Sequence, residues 1–152
     1  ARLLQAAEVT ENDVTLDIAC GTGYSSAVLG YLAGTVVGLE PDTGLAEQAS
    51  QTLSEIGADN VIVVSGSVAE GYSRQGPYDV ILLNGGVPYA PPPLMDQLAE
   101  GGRMVAVIRG AGDALGRATL WVKIRGEISH RIVFDASVPP FPGIETEAAF
   151  EF

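Results

Sequence analysis

A chain of 152 residues with one cysteine, one histidine, one tryptophan and eight basic side chains is short of the groups on which much enzyme chemistry is built. A lone Cys20 closes no internal disulfide, so nothing marks a stapled extracellular scaffold. One cysteine with one histidine cannot complete a structural zinc site, and no metal is expected. Basic charge is scarce against nineteen acids, and the resulting formal charge of -11 repels nucleic-acid backbones, anionic membranes and, on the same ground, an anionic protein substrate. Apolar runs of the roughly 20 residues needed to span a bilayer are missing, as is a basic-then-apolar leader. Neither nucleic acid nor a membrane is an expected partner, and a soluble, cytoplasmic protein is the expectation. Repeats and low-complexity tracts are missing too, and a hydrophobic content of 47% fits a single domain over 1–152 with a core able to stand alone. None of these features speaks to oligomeric state.

What the chain does have is Leu16-Asp17-Ile18-Ala19-Cys20-Gly21-Thr22-Gly23-Tyr24, an apolar run that meets an acid and then a tight turn of small residues. Val14, Leu16 and Ile18 read as a buried strand, and a helical pattern opens straight after the turn. Gly21 and Gly23 let the backbone bend sharply and approach a ligand, with the turn's amides at the positive end of the following helix. The dinucleotide fingerprint asks for a third glycine or alanine where Ser26 stands. Asp17 just before the turn would repel a pyrophosphate and suit a cation, such as the amino group of S-adenosylmethionine. A second acid, Glu40, closes the next apolar run 17 positions beyond Gly23, where the end of a second strand can meet ribose hydroxyls. The same residues would also serve an ordinary strand-turn-helix with two surface acids.

The run from Asp17 to Tyr24, followed by Ala27-Val28-Leu29 and Gly38-Leu39-Glu40, resembles the cofactor region of class I methyltransferases, and within them the protein-L-isoaspartate O-methyltransferases. Asn60-Val61-Ile62-Val63-Val64-Ser65-Gly66, Tyr78-Asp79-Val80-Ile81, Leu94 with Gln97-Leu98, and Gly101-Gly102-Arg103-Met104-Val105 follow that family's order and spacing, up to about Phe134. The resemblance implies a Rossmann-like α/β fold, S-adenosylmethionine as cofactor with S-adenosylhomocysteine as product, and methyl transfer to a carboxylate of a damaged protein or peptide, a repair reaction. It implies a cofactor site formed by Asp17, Ala19, Cys20, Gly21, Thr22, Gly23, Tyr24, Glu40, Pro41, Ser67, Val68 and Asn84, and it assigns no catalytic side chain. Two departures stand out: Ala19 replaces a usual glycine, a change a loose turn absorbs, and Gly66-Ser67-Val68 replaces Gly-Asp-Gly, exchanging a carboxylate for a hydroxyl at the adenine edge. The family's acceptor-binding segment precedes the position matching Ala1, so the chain reads as opening inside a helix of something longer. On that reading it binds cofactor but methylates isoaspartyl peptides poorly. The alternatives are a relative that binds the cofactor without transferring methyl groups and, more remotely, a nicotinamide oxidoreductase, which Asp17 and Ser26 disfavour.

Taken in order, the chain predicts a helix through Leu3, Leu4 and Ala7, a strand at 14–18, and a helix with an apolar face of Val28, Leu29 and Leu32 stopped at Gly34. A strand at 36–40 and a helix with face Leu45, Ala49, Leu53 and Ile56 follow, then a strand at 61–64, continuously apolar as if covered by helices on both sides. The stretch 69–77 is unpatterned. A strand at 78–83 delivers Asn84-Gly85-Gly86, either as a tight turn or as part of the site. Residues 88–93, rich in proline, read as a stiff rim beside the cleft, before a helix at 94–99 and a strand at 103–108. After a flexible Gly110-Ala111-Gly112 connection, alternation at Ala118, Leu120, Val122 and Ile124 and a turn at Gly126-Glu127 predict an antiparallel hairpin returning through 128–134. The fold expected is thus a mostly parallel sheet closed by an antiparallel hairpin. His130 in that hairpin reads as a half-exposed structural residue, and the tail beyond 138 as packing on the hairpin or on another chain. A carboxylate acceptor is already ionised near neutral pH, so the absence of a His, Cys or Lys constellation is no argument against methyl transfer, and Cys20 fills space.

Overall fold

Between Val14 and Ile108 short apolar runs alternate with helices, a pattern that packs as parallel strands between helical layers. The computed structural model describes residues 2–110 and 115–136. Its strands are β1 Val14–Ile18, β2 Thr35–Glu40, β3 Val61–Ser65, β4 Tyr78–Val87, β5 Leu98–Ile108, β6 Gly116–Ile124 and β7 Glu127–Ala136. The helices are α1 Arg2–Ala7, α2 Tyr24–Leu32, α3 Thr43–Glu55 and α4 Pro92–Asp96, with a single 3-10 turn at Ser73–Gln75 in the unpatterned stretch. One sheet of order β3-β2-β1-β4-β5-β6-β7 carries them all, parallel through β5 and antiparallel at β6 and β7. The chain winds outward from β1 to β3 and then crosses to β4 on the other side of β1. That reversal leaves a crevice at the carboxyl ends of β1 and β4, where open parallel sheets hold ligands. This is the Rossmann-like architecture with an antiparallel closing hairpin that the sequence predicts.

Two buried clusters hold the sheet. On one face Leu16, Ile18, Val37, Leu39, Ile81, Leu83 and Met104 pack under Leu94, Leu98 and Val68; on the other Val36, Val80, Leu82 and Val105 pack under Ala7 of α1, Leu29 of α2 and Ala33, the residue after α2. Asp42 caps α3 by accepting the Leu45 N–H at 3.1 Å, and that helix buries Ala46, Ala49 and Leu53.

Several expectations shift. Ile56 lies beyond α3 and is exposed, and α2 buries Ser26 with Leu29 while Leu32 reaches solvent, because both helices turn a narrower face to the sheet than their apolar content suggests. β3 is an edge strand and only half buried, so its apolar run is not covered on both sides. The rim at 88–93 is shorter than its prolines suggest, since Pro92 and Pro93 begin α4, where a missing N–H costs nothing. The hairpin turn is Arg125-Gly126, one residue earlier than the Gly-x pattern implies. Both residues have positive φ, 54° and 76°, the pairing whose twist matches the flanking strands. The Gly110-Ala111-Gly112 connection falls partly, and the tail beyond 138 wholly, outside the described residues.

Candidate active site

At the end of β1 the chain turns through Ala19, Cys20, Gly21, Thr22 and Gly23 into α2. Ala19, Gly21 and Gly23 take positive φ of 61°, 59° and 100°. The Ala19 N–H donates to the Leu39 carbonyl at 2.7 Å and the Cys20 N–H to the same oxygen at 3.2 Å, which ties the turn to the end of β2. Glu40, one residue on and 5% exposed, completes the tie. Its Oε1 accepts the Gly21 N–H at 3.0 Å and its Oε2 the Asp42 N–H at 2.8 Å. An ionised carboxylate offers about four acceptor positions, so two remain for ligand hydroxyls.

The two glycines have different tasks. A Cβ on Gly21 would meet nothing within 4 Å, so the backbone there borders open space. On Gly23 it would lie 3.3 Å from both Ala49 and Leu53, and this glycine lets α2 pack on α3. The sequence leads both glycines to be expected against a ligand; the open space lies at Gly21, while Gly23 faces Ala49 and Leu53 of α3. Nor is the turn loose at Ala19, which holds a left-handed conformation that the usual glycine would take without strain.

Asp17 is fully buried beneath the turn. Its Oδ2 accepts Ser25 Oγ at 2.6 Å and Ser26 Oγ at 2.7 Å, and its Oδ1 accepts Asn84 Nδ2 at 2.7 Å. Burial raises its pKa above the ordinary carboxylate value, and the three hydrogen bonds pull it back. Asn84 Nδ2 also donates to the Ile18 carbonyl at 2.9 Å, pinning β4 to β1 across the crevice. Asn84 therefore sits inside an extended, irregular β4, where pairing with β5 slips between Leu82 and Gly86, and the tight-turn reading falls. Ser25 and Ser26 escape the sequence reading as site residues, since Ser26 registers there only as a mismatch to the dinucleotide pattern. A buried acid eight or nine residues before two serines on the next helix is the signal that finds them.

The other expected residues divide. Thr22, Tyr24, Pro41 and Ser67 are exposed around the crevice. Val68 is 4% exposed within the core under Leu83 and Val87, so its side chain supports the crevice floor rather than lining it. Cys20 is buried, and desolvation with the Asp17 charge pushes its thiol up to about 11, leaving it inert as a nucleophile. The loop after β3 is held by a residue that the family resemblance includes without giving it a place in the site. Buried Gln97 accepts the Tyr72 N–H at 3.0 Å and donates to the Glu70 carbonyl at 2.7 Å, fixing the path that carries Ser67.

A family model described as protein-L-isoaspartate(D-aspartate) O-methyltransferase matches residues 1–135. The chain belongs to this family. It is 46% identical over 105 residues to the protein-L-isoaspartate O-methyltransferase of Koribacter versatilis, covering 69% of this chain and 47% of that one. It is 35% identical over 144 residues to protein-L-isoaspartate O-methyltransferase 2 of a Polaromonas species, covering 94% of this chain and 68% of that one. A solved protein-L-isoaspartate O-methyltransferase superposes with a TM-score of 0.86 at 27% identity, over 93% of this chain and 46% of its own. A Plasmodium falciparum protein solved with S-adenosyl-L-homocysteine shares the fold at a TM-score of 0.73 and 18% identity, over 91% of this chain and 69% of its own. The chain spans about half the length of the first curated relatives it matches. Among the described residues no helix is long and apolar enough to cross a membrane.

Proposed function

We propose that this chain forms the S-adenosylmethionine-binding core of a protein-L-isoaspartate O-methyltransferase, which repairs damaged protein by methylating a carboxylate. The observation that carries the reading is the Glu40 carboxylate at the switch-point crevice, with two backbone N–H groups already accepted and acceptor capacity left beside the open Gly21 backbone. Glu40 would take the ribose hydroxyls, and Ser67, set by the Gln97 clip, the adenine edge. Gly21, Thr22 and Pro41 would border the ligand. Asp17 supplies negative charge beneath the turn, next to where a cationic amino group would rest, and its three hydrogen bonds keep the turn in shape. When bound, the cofactor supplies a methyl group on a sulfonium centre, and a carboxylate acceptor needs no proton removed before it receives that group. The protein's work is then orientation and exclusion of water. The free, buried Cys20 accords with a reducing, cytoplasmic location.

The test is transfer of labelled methyl from S-adenosylmethionine by the natural protein carrying this sequence. Base-labile methyl ester on an isoaspartyl peptide, and none on the matching aspartyl peptide, is the expected result. Tight S-adenosylhomocysteine binding with no transfer to either peptide would make the protein a binding-only relative.

A further inference from the structure

The overall charge of -11 hides a segregation that the fold reveals. Four of the chain's eight Lys and Arg residues, namely Arg117, Lys123, Arg125 and Arg131, lie on the β6–β7 hairpin with the only histidine, His130. Only two of nineteen acids, Glu127 and Asp135, lie there. The hairpin is cationic on an otherwise acidic body. Strand register places Arg117, Thr119 and Trp121 on one face of β6, with Ile132 opposite Thr119 and His130 opposite Trp121 on β7. The His130 and Trp121 rings are 6.4 Å apart, and Trp121 is only 8% exposed.

This face forms the wall of a cavity of about 270 Å³, closed on its other sides by Ile108 at the end of β5 and by Tyr89 and Ala90 just past β4. It therefore opens at the same end of the sheet as the crevice. Arg117 is exposed, and Asp135 faces it in register.

We infer that this groove receives the acceptor segment, with the Arg117 guanidinium pairing with the isoaspartyl carboxylate and Trp121, Tyr89 and His130 flanking the peptide; the inference rests on the activity proposed above. A planar guanidinium matches a single carboxylate in a two-point fork. The aromatic walls suit an extended chain with little side-chain entropy to lose. The acidic body beyond the hairpin turns away polyanions, so one carboxylate on a flexible peptide is the ligand favoured over nucleic acid. At this face the local charge is positive, the reverse of the chain average.

The experiment is calorimetric titration of an isoaspartyl peptide and its methyl ester into the protein saturated with S-adenosylhomocysteine, with Trp121 emission followed in parallel against a Trp121→Phe blank. Peptide binding should change Trp121 emission saturably, and the methyl ester should bind about tenfold more weakly. Arg117→Gln should weaken the free acid about tenfold and erase the difference between acid and ester, Arg117→Lys should restore part of it, and S-adenosylhomocysteine affinity should not move. Peptide binding that leaves Trp121 unchanged, or that Arg117→Gln alters less than twofold, would overturn the groove. Methyl transfer that is indifferent to Arg117→Gln defeats the groove and leaves the proposed activity standing. Carboxylate-dependent binding in the groove without methyl transfer supports the groove and defeats the activity.

Discussion

Replacing Glu40 by glutamine keeps the shape of the side chain and removes its charge, so it separates what this residue does for the fold from what it does for a ligand. In the wild type both carboxylate oxygens accept backbone N–H groups, Gly21 at 3.0 Å and Asp42 at 2.8 Å, with the side chain 5% exposed. A glutamine can satisfy only one of them and turns an NH2 group toward the other. One charge-assisted bond becomes a neutral one, a loss of about 1 kcal/mol, and one buried N–H is left facing a donor at about 1 to 3 kcal/mol. The fold should lose about 2 to 4 kcal/mol, or roughly 4 to 16 °C in melting midpoint for a domain of this size. Binding should suffer separately, because ribose hydroxyls lose a charged acceptor worth about 1.5 to 3 kcal/mol, roughly tenfold to a hundredfold in affinity. Glu40→Ala is a poorer probe, since it strands both N–H groups. Thermal melting with and without S-adenosylhomocysteine, together with calorimetry on the folded variant, measures both terms. A Glu40→Gln protein that melts like the wild type would refute the structural role, and one that binds S-adenosylhomocysteine within twofold of wild type would refute the ribose role.

Three other substitutions or treatments follow from the same geometry. Ala19→Gly should raise the melting midpoint by roughly 1 to 4 °C, since relief of about 1 to 2 kcal/mol of left-handed strain exceeds the added entropy of glycine in the unfolded chain; a lower midpoint contradicts it. Asn84→Asp sets a second carboxyl against Asp17 at the present 2.7 Å contact, so the pair must share a proton. Its folded pKa then lies above the unfolded value, and the variant's stability, nearest wild type in acid, should fall as pH rises, read as a melting deficit larger at pH 7 than at pH 5. A pH-independent deficit would show the two carboxyls do not interact. Cys20, its thiol raised from 9.0 to about 11, should react with a disulfide reagent at pH 8 about a hundredfold more slowly in the native than in the unfolded protein, from thiolate population alone. Because burial raises this pKa, the protonated thiol's contribution to stability is complete below about pH 9 and is lost as pH climbs toward 11. Native labelling at the unfolded rate would contradict the burial.

The parallel half of the fold was legible because strands buried between helices leave short apolar runs, and Val36-Val37 or Val80-Ile81-Leu82-Leu83 can hardly be anything else in that alternation. Sheet order was not legible at β3. An apolar run looks the same at an edge as in the centre, and only the crossover that places β4 on the far side of β1 exposes it. At the site, Asp17, the small-residue turn and Glu40 announce themselves as acids and glycines at strand ends. Ser25, Ser26 and Gln97 do not, because a hydroxyl or an amide gains meaning only from a partner tens of residues away or on another element. The different surroundings of Gly21 and Gly23 stay hidden for a related reason. Sequence shows that both can bend, whereas the neighbours Ala49 and Leu53 decide which one must make room for packing. Net charge is an average over the chain, and it leaves the cationic hairpin out of view.

On the proposed function, the crevice at the carboxyl ends of β1, β2 and β4 holds S-adenosylmethionine. The most direct measurement is a titration of the isotopically labelled protein with S-adenosylhomocysteine, followed through backbone amide NMR signals. Saturable shifts are expected at Gly21, Thr22 and Asp42 and at the Gly66–Ser67 segment, with β7 signals from Ile128 to Ile132 unmoved. Saturable shifts confined to another part of the molecule, or no shift at millimolar ligand, would contradict that placement.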